Sequence, residues 1–380
     1  MVKILPSLLA LSLSLSVVFA HGSHDLEKRA ATTATCSKTY QAVAKGSYPA
    51  LDCTPFTQDP MVLEWLKLVD FTKTPVYPPS KDGACPTDLT TIPKDQCWWT
   101  CQKCEAKGDI TSCPKPGTWG LTYDDGPSPD SERLYDNLLS HNQKATLFIV
   151  GSRAISFPNT LKRAYKEGHH IAIHTWSHSA MTSLTNEQVV AELKWTEKAI
   201  FDTIGVTPLY WRPPYGDVDN RVRNIATQLG YKTAIWTQDF DTNDWNIPAG
   251  TATPQSVVDT FKTWLTKIPS MTTGFVVLQH DLFPQEVDVA INGVLPIAYQ
   301  TKTLSMQPIA QCLSDAKPYK EGAGTFVLGA GSSASATSSG TSATPSVANS
   351  GKNTNAAVSL SAASSSSALV AVVAILAALY

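Results

Sequence analysis

From residue 117 to residue 280 the chain repeats one pattern. A short apolar run gives way to a longer stretch whose apolar residues recur every three or four positions. The short runs are 119–123 (WGLTY), 145–150 (ATLFIV), 170–174 (HIAIH), 209–214 (LYWRPP), 232–237 (KTAIWT) and 274–280 (GFVVLQH). Between them lie 131–140, 159–168, 185–202, 221–230 and 256–265, each with a helical period. Strand-like runs alternating with amphipathic helices predict a parallel sheet with helices packed outside it. An open nucleotide-binding sheet would carry a glycine-rich turn after its first strand, and no such turn or phosphate-binding loop follows any strand here. The expectation is an α/β fold, a distorted and incomplete (β/α) barrel with six to seven recognisable strands. Chemistry is then expected where strands end and βα loops begin.

Both flanks break the pattern. Residues 31–112 are rich in cysteine and proline, with one predicted helix at 59–68, and read as a Cys-rich extension. Residues 1–20 have a basic start, an apolar run and small residues before a cleavage point, which predicts a signal peptide. Residues 21–30 end at the dibasic Lys28-Arg29 and read as a propeptide. After the barrel domain, 113–315, residues 316–355 turn to Ser, Ala, Thr and Gly and predict a disordered stalk. Residues 356–380 combine a polar spacer with thirteen closing apolar residues, fewer than the roughly 20 that span a bilayer. That combination predicts a GPI-anchor signal with Asn355 as attachment site, against the alternative of a tail-anchored helix.

Charge and cysteine content narrow the partners. Thirty basic and 32 acidic residues leave a formal charge of −2, without a basic run that would bind nucleic acid. Eight cysteines behind a secretion signal predict disulfides, in preference to a zinc site in the cluster Cys97, Cys101, Cys104. Cys113 and Cys312 flank the barrel, whose closure would bring them together, and the other six are expected to pair within the extension. The protein is expected to act as a monomer.

Polar, reactive residues gather at five strand ends: Asp124 and Asp125, His174 and His178, Arg212 and Tyr215, Asp239 and Asp241, and His280. Two adjacent carboxylates repel unless a cation compensates. Two histidines and a carboxylate, Asp125 with His174 and His178, form a ligand set suited to Zn²⁺ or Co²⁺ with positions left open. Asp124 is then a base toward water acidified by the metal, held ionised by Arg212. An amide in the loop at Tyr215 is placed to stabilise an oxyanion, and His280, oriented by Asp241 or its competitor Asp239, to protonate a leaving amine. Trp245, Trp176 and the Trp236 region offer flat apolar surface for a sugar ring.

The segments 122–126 (TYDDG), 174–178 (HTWSH), 212–216 (RPPYG), 241–245 (DTNDW) and 278–280 (LQH) resemble, in order, the five motifs of the polysaccharide deacetylases, the carbohydrate esterases of family four. With the dibasic site, the stalk and the anchor signal, the whole chain resembles the fungal chitin deacetylases. The resemblance implies hydrolysis of N-acetyl groups of N-acetylglucosamine in chitin, giving chitosan and acetate, and the signal peptide with the anchor signal predicts a place at the outer face of the plasma membrane or in the wall. It also implies that Asp124, Tyr215, Trp245 and Leu278 meet the substrate, Tyr215 through the acetate. The fourth motif carries an extra aspartate, which leaves the role of Asp241 open. A non-haem iron oxygenase shares the two-histidine, one-carboxylate set, but it would lack the βα alternation. A silent wall-binding protein would gain nothing from an acid and a base around a metal.

Overall fold

A computed structural model describes residues 47–326 of the chain. The signal peptide, the propeptide, residues 31–46 of the extension with Cys36, the anchor signal, Asn355 and the stalk beyond Phe326 lie outside the described residues, while 316–326, expected as the start of the stalk, pack onto the core through Tyr319 and Phe326.

Among the described residues eight short strands carry the architecture: β1 (Thr118–Gly120), β2 (Thr122–Asp124), β3 (Thr146–Ile149), β4 (His170–Ile173), β5 (Tyr210–Trp211), β6 (Lys232–Thr233), β7 (Phe275–Val276) and β8 (Ser305–Gln307). Every pairing between them is parallel, in the orders β7-β1-β8 and β2-β3-β4-β5-β6. β1 and β2 are one run interrupted at Leu121, where the strand changes neighbours. The Leu121 N–H donates to Gln307 (2.9 Å), and its carbonyl accepts from Thr146 (2.9 Å). The ring closes beyond β6. There Thr237 N–H donates to Val276 (2.9 Å), Leu278 N–H donates to Phe240 (3.0 Å), and Asp124 bridges His280. This is the expected distorted barrel.

Most strand residues are buried, as in a sheet covered on both faces. Trp119, Leu121, Leu147, Phe148, Ile171, Ile173, Trp211 and Phe275 belong to one core. The helices start where their sequence says they should. Thr185 and Gln188 form a capping box ahead of the helix Asn186–Ile204, and Gly205, at φ 76°, ends it in the left-handed conformation that glycine adopts freely. Thr253 caps the helix Pro254–Lys267, with proline in its first turn. Among the described residues no helix is long and apolar enough to cross a membrane.

The extension packs onto the barrel. Its helix Pro60–Leu66 has a ring contact to the long helix through Trp65 and Trp195 (5.2 Å). Ile110 pairs beside β6 with Ala234. Disulfides join Cys85 to Cys101, Cys97 to Cys104 and Cys113 to Cys312, and no described cysteine is free. The barrel-closing bridge and the disulfide reading of the 97–104 cluster are both as expected. Elements the periodicity does not signal are the helix Gly151–Ser156, β8, and the helical stretch from Pro284 to Gln300 with its π turn at Ala290–Val294. Gly293 and Pro296 interrupt the helical pattern of that last stretch, and β8 is too short to show one.

Candidate active site

Consecutive residues of a strand point to opposite faces, so Asp124 and Asp125 should diverge. The left-handed backbone of Asp125 (φ 74°) breaks that alternation at the end of β2. Both carboxylates consequently face His174, whose Nε2 lies 3.2 Å from Asp125 Oδ1 and 3.8 Å from Asp124 Oδ2. Gly126 is required at the turn because a Cβ there would stand 2.5 Å from Asp281 Oδ1. Asp281 is buried beneath the turn, accepts from Ser131 Oγ (2.6 Å), and donates its backbone N–H to the Asp124 carbonyl (3.2 Å). Burial pushes its carboxyl up to about 7.

Asp125, His174 and His178 bring one ligand atom each within 4.8 Å of one another. The His174 Nδ1 stands 2.8 Å from the Arg212 carbonyl, which can only accept, so Nδ1 carries the proton. In a neutral ring Nε2 then holds a lone pair, and it faces a carboxylate oxygen at 3.2 Å. Two acceptors at that distance call for a cation between them. His178 Nε2 lies 3.0 Å from the same Asp125 oxygen. Ligands at about 2.1 Å from an ion stand about 3.0–3.4 Å apart, so the donor set fits a small divalent metal. The loop between the histidines is held by Glu192, fully buried on the long helix. Its carboxylate accepts from the backbone N–H groups of Trp176 (2.8 Å) and Ser177 (2.9 Å) and from Ser177 Oγ (2.5 Å). Burial raises Glu192 to about 7. Thr175 (φ 64°) and His178 (φ 58°) occupy left-handed backbone that only such an anchored loop sustains.

Arg212, at the end of β5, is fully buried and donates to Asp124 Oδ1 (2.7 Å) and Thr122 Oγ1 (2.9 Å), with its guanidinium 4.2 Å from the centre of the Phe148 ring. Burial pulls the guanidinium down from its ordinary value while Asp124 opposes the change. Tyr215 sits at φ 60° in the turn Pro214–Gly216, with its hydroxyl 3.1 Å from His178 Nδ1.

His280 bridges Asp124 across the barrel mouth, but Asp241 does not orient it. Asp244 does: its Oδ1 lies 2.7 Å from His280 Nδ1 and its Oδ2 accepts the His280 backbone N–H at 2.8 Å. Asp241 instead accepts from the Asn243 N–H (2.8 Å) and lies 3.5 Å from Trp245 Nε1. Burial pushes it up to about 6. The tight turn after Asp241 points its carboxylate back onto its own backbone, while Asp244, one turn later, reaches the neighbouring strand. Asp239 is exposed. Trp176 is not a sugar platform either: it is fully buried, donates to the Ala50 carbonyl (3.1 Å) and stacks on Tyr48 (5.9 Å). Trp236 and Tyr215 line a cleft, Trp245 is half-buried beside Asp241, and Leu278 is buried with its N–H on the Phe240 carbonyl. Sequence reasoning missed Asp244, Asp281 and Glu192. Only Asp244 left a signal, as the second aspartate of the 241–245 segment.

Residues 111–234 match the polysaccharide deacetylase family. Chitin deacetylase 1 of Cryptococcus neoformans var. grubii is 48% identical over 281 residues, 72% of this chain and 60% of the relative. The chain therefore spans less than two thirds of that relative's length. Chitin deacetylase 1 of Saccharomyces cerevisiae is 34% identical over 252 residues, 66% of this chain and 76% of the relative. The solved chitin deacetylase of the fungal pathogen Colletotrichum lindemuthianum superposes with a TM-score of 0.50 at 28% identity, covering 56% of this chain and 95% of that one.

Proposed function

The chain belongs to the polysaccharide deacetylase family, and on that basis we propose that it hydrolyses the N-acetyl groups of chitin, giving chitosan and acetate. The observation that carries the reading is the opposition of His174 Nε2 and Asp125 Oδ1 at 3.2 Å, beside an Asp124 clamped by Arg212. Asp125, His174 and His178 would hold the metal, Zn²⁺ or Co²⁺. When bound, such an ion supplies Lewis acidity at the acetamide carbonyl and makes water a better nucleophile near neutral pH.

The protein's own groups do the rest. Asp124 takes the proton from the attacking water, and its contact with Arg212 holds the carboxylate in place. The loop at Tyr215 places a backbone amide and the Tyr215 ring against the acetyl group as its carbonyl oxygen gains charge. His280 delivers a proton to the departing amine, with Asp244 fixing the ring and its tautomer. Trp245, half-buried beside Asp241, and Leu278 meet the substrate alongside Tyr215.

The test is acetate release from a chitin oligomer by the purified protein. Release should stop on chelation and return with added Zn²⁺ or Co²⁺. A metal-loaded, folded protein that frees no acetate from the oligomer contradicts the reading. We also propose export and a GPI anchor at Asn355, which the disulfides support by requiring an oxidising compartment. A phosphatidylinositol-specific phospholipase should release the protein from cells, and retention after treatment contradicts the anchor.

A further inference from the structure

Two loops that carry the site are tied together by a carboxylate the reaction does not use. Asp217 follows Tyr215 in the same loop and is fully buried. On one side it holds the loop that follows His178, where the Thr182 N–H donates to Oδ2 (2.8 Å) and Thr182 Oγ1 donates to the same oxygen (2.8 Å). On the other side it holds the Cys-rich extension, whose Trp98 Nε1 donates to Oδ1 (2.6 Å). Donors from two distant segments of the chain thus converge on one side chain. A buried carboxylate persists only where such donors replace the water it has lost.

The backbone around Asp217 is what these bonds hold. Tyr215 lies in left-handed backbone (φ 60°), which a bulky residue adopts only where its surroundings impose it. Its turn is closed by the Gly216 N–H on the Pro213 carbonyl (3.1 Å) and the Asp217 N–H on the Pro214 carbonyl (2.8 Å). The extension pins the chain on both sides of Asp217, with Thr100 Oγ1 on the Gly216 carbonyl (3.2 Å) and the Trp99 N–H on the Val218 carbonyl (3.0 Å). It reaches the second loop as well, because the Ser80 N–H donates to the Thr182 carbonyl (3.0 Å). The disulfides of Cys97 and Cys101 stand on either side of Trp98 and keep this part of the extension in place. Between the two loops lies the contact of the Tyr215 hydroxyl with His178 Nδ1 (3.1 Å), so a shift of either loop moves a group of the site.

We propose that Asp217 is a positioning residue, which locks the Tyr215 loop to the His178 loop and both to the extension, so that the amide and ring of Tyr215 stand where the acetyl group reacts. The proposal rests on the deacetylase reading. It gives the Cys-rich extension a part in setting the rate, although the extension supplies no reacting group.

The test compares wild type with Asp217→Asn, Trp98→Phe, Thr182→Val and the conservative Thr182→Ser, all metal-loaded and assayed for acetate release from a chitin oligomer well below their melting temperatures. Trp98→Phe and Thr182→Val each remove one donor and keep the packing, so they decide the matter even if Asp217→Asn does not fold. Loss of one hydrogen bond should lower kcat about three- to tenfold. Asp217→Asn should lower it about 10²-fold, the scale for a misplaced reacting group, and KM should stay within about twofold throughout. Thr182→Ser keeps the hydroxyl and should return kcat to the wild-type value. Amide hydrogen exchange follows the loop without turnover: the Gly216 and Asp217 amides should exchange about five- to tenfold faster in Trp98→Phe and Thr182→Val, and at the wild-type rate in Thr182→Ser. A wild-type kcat beside a lowered melting temperature overturns the proposal, as do unchanged exchange at both amides, a loss confined to KM, or a Thr182→Ser as slow as Thr182→Val. If exchange responds as expected while wild type itself frees no acetate, the lock between the loops stands and the deacetylase reading fails.

Discussion

Replacing Asp244 and Asp241 separately by asparagine distinguishes the two carboxylates of the fourth motif. Asp244 is almost fully buried, and both its oxygens are in use. Oδ1 takes His280 Nδ1 (2.7 Å) and the Trp245 N–H (2.9 Å), and Oδ2 takes the His280 N–H (2.8 Å). An asparagine has one acceptor oxygen, so its NH₂ must face a donor of His280 or Trp245. Leaving a buried donor unpaired costs about 1–3 kcal/mol. The imidazole can avoid that only by giving up its Nδ1 proton, and the imidazolium that protonates the amine through Nε2 then lacks the carboxylate that balances its charge. The rate should therefore fall by about 10² to 10⁴, the scale for losing a general acid. Asp241→Asn is milder, because an amide oxygen still accepts the Asn243 N–H now held at 2.8 Å. That variant should stay within about tenfold of wild type, the loss of one hydrogen bond. Acetate release from a chitin oligomer, read beside a thermal melt of each variant, makes the comparison. A folded Asp244→Asn with near wild-type rate, while Asp241→Asn collapses, refutes the assignment.

Three further outcomes follow from the same contacts. Glu192→Ala strips the acceptor from the loop between the two ligand histidines and should weaken metal affinity about 10- to 100-fold in a chelator competition, with Glu192→Gln keeping most of it. Removing the Cys113–Cys312 bridge, which closes 199 residues, should lower stability by about 5 kcal/mol in denaturant, and an unchanged midpoint would argue against that chain-entropy estimate. Burial pulls His169 and His170 down to about 3, so the folded state stays neutral where the unfolded chain takes up protons. Their stabilisation is complete above about pH 6.5 and is lost as pH falls toward 3, on the order of 3 kcal/mol each at pH 4. Glu192 and Asp281, raised to about 7, act oppositely and lose stabilisation as pH rises from about 4 to 7. A His169→Gln, His170→Gln double variant should therefore show a shallower acid loss of stability than wild type, and equal slopes would assign that loss to other groups.

Much of this was legible in the chain because the barrel's strands are apolar runs and its reactive residues follow them directly. The 119–123 run, the carboxylate pair after it and the histidines at the end of β4 are local patterns that read without a structure. Closure by Cys113 and Cys312 was legible for a topological reason, since a ring returns its ends to one place. What stayed hidden depends on contacts between distant segments. Nothing around Glu192 distinguishes it from a solvated helix residue, yet it lies beneath a loop fifteen residues earlier in sequence. Asp241 and Asp244 are equally plausible partners of His280 until the turn at Asn243 (φ 58°) fixes which one reaches the next strand. Trp176 read as a platform because its burial is supplied by Tyr48 and Ala50 of the extension.

The most direct test of the account is metal content and acetate release measured together on Asp124→Asn and Asp125→Asn. Asp125→Asn should lose metal and activity together, because one of three ligand atoms is changed. Asp124→Asn should retain metal and lose rate by about 10² to 10⁴. The reverse, with metal lost from Asp124→Asn and kept by Asp125→Asn, means the pair is assigned backwards, and full metal and full rate in both would place the reaction elsewhere in the molecule.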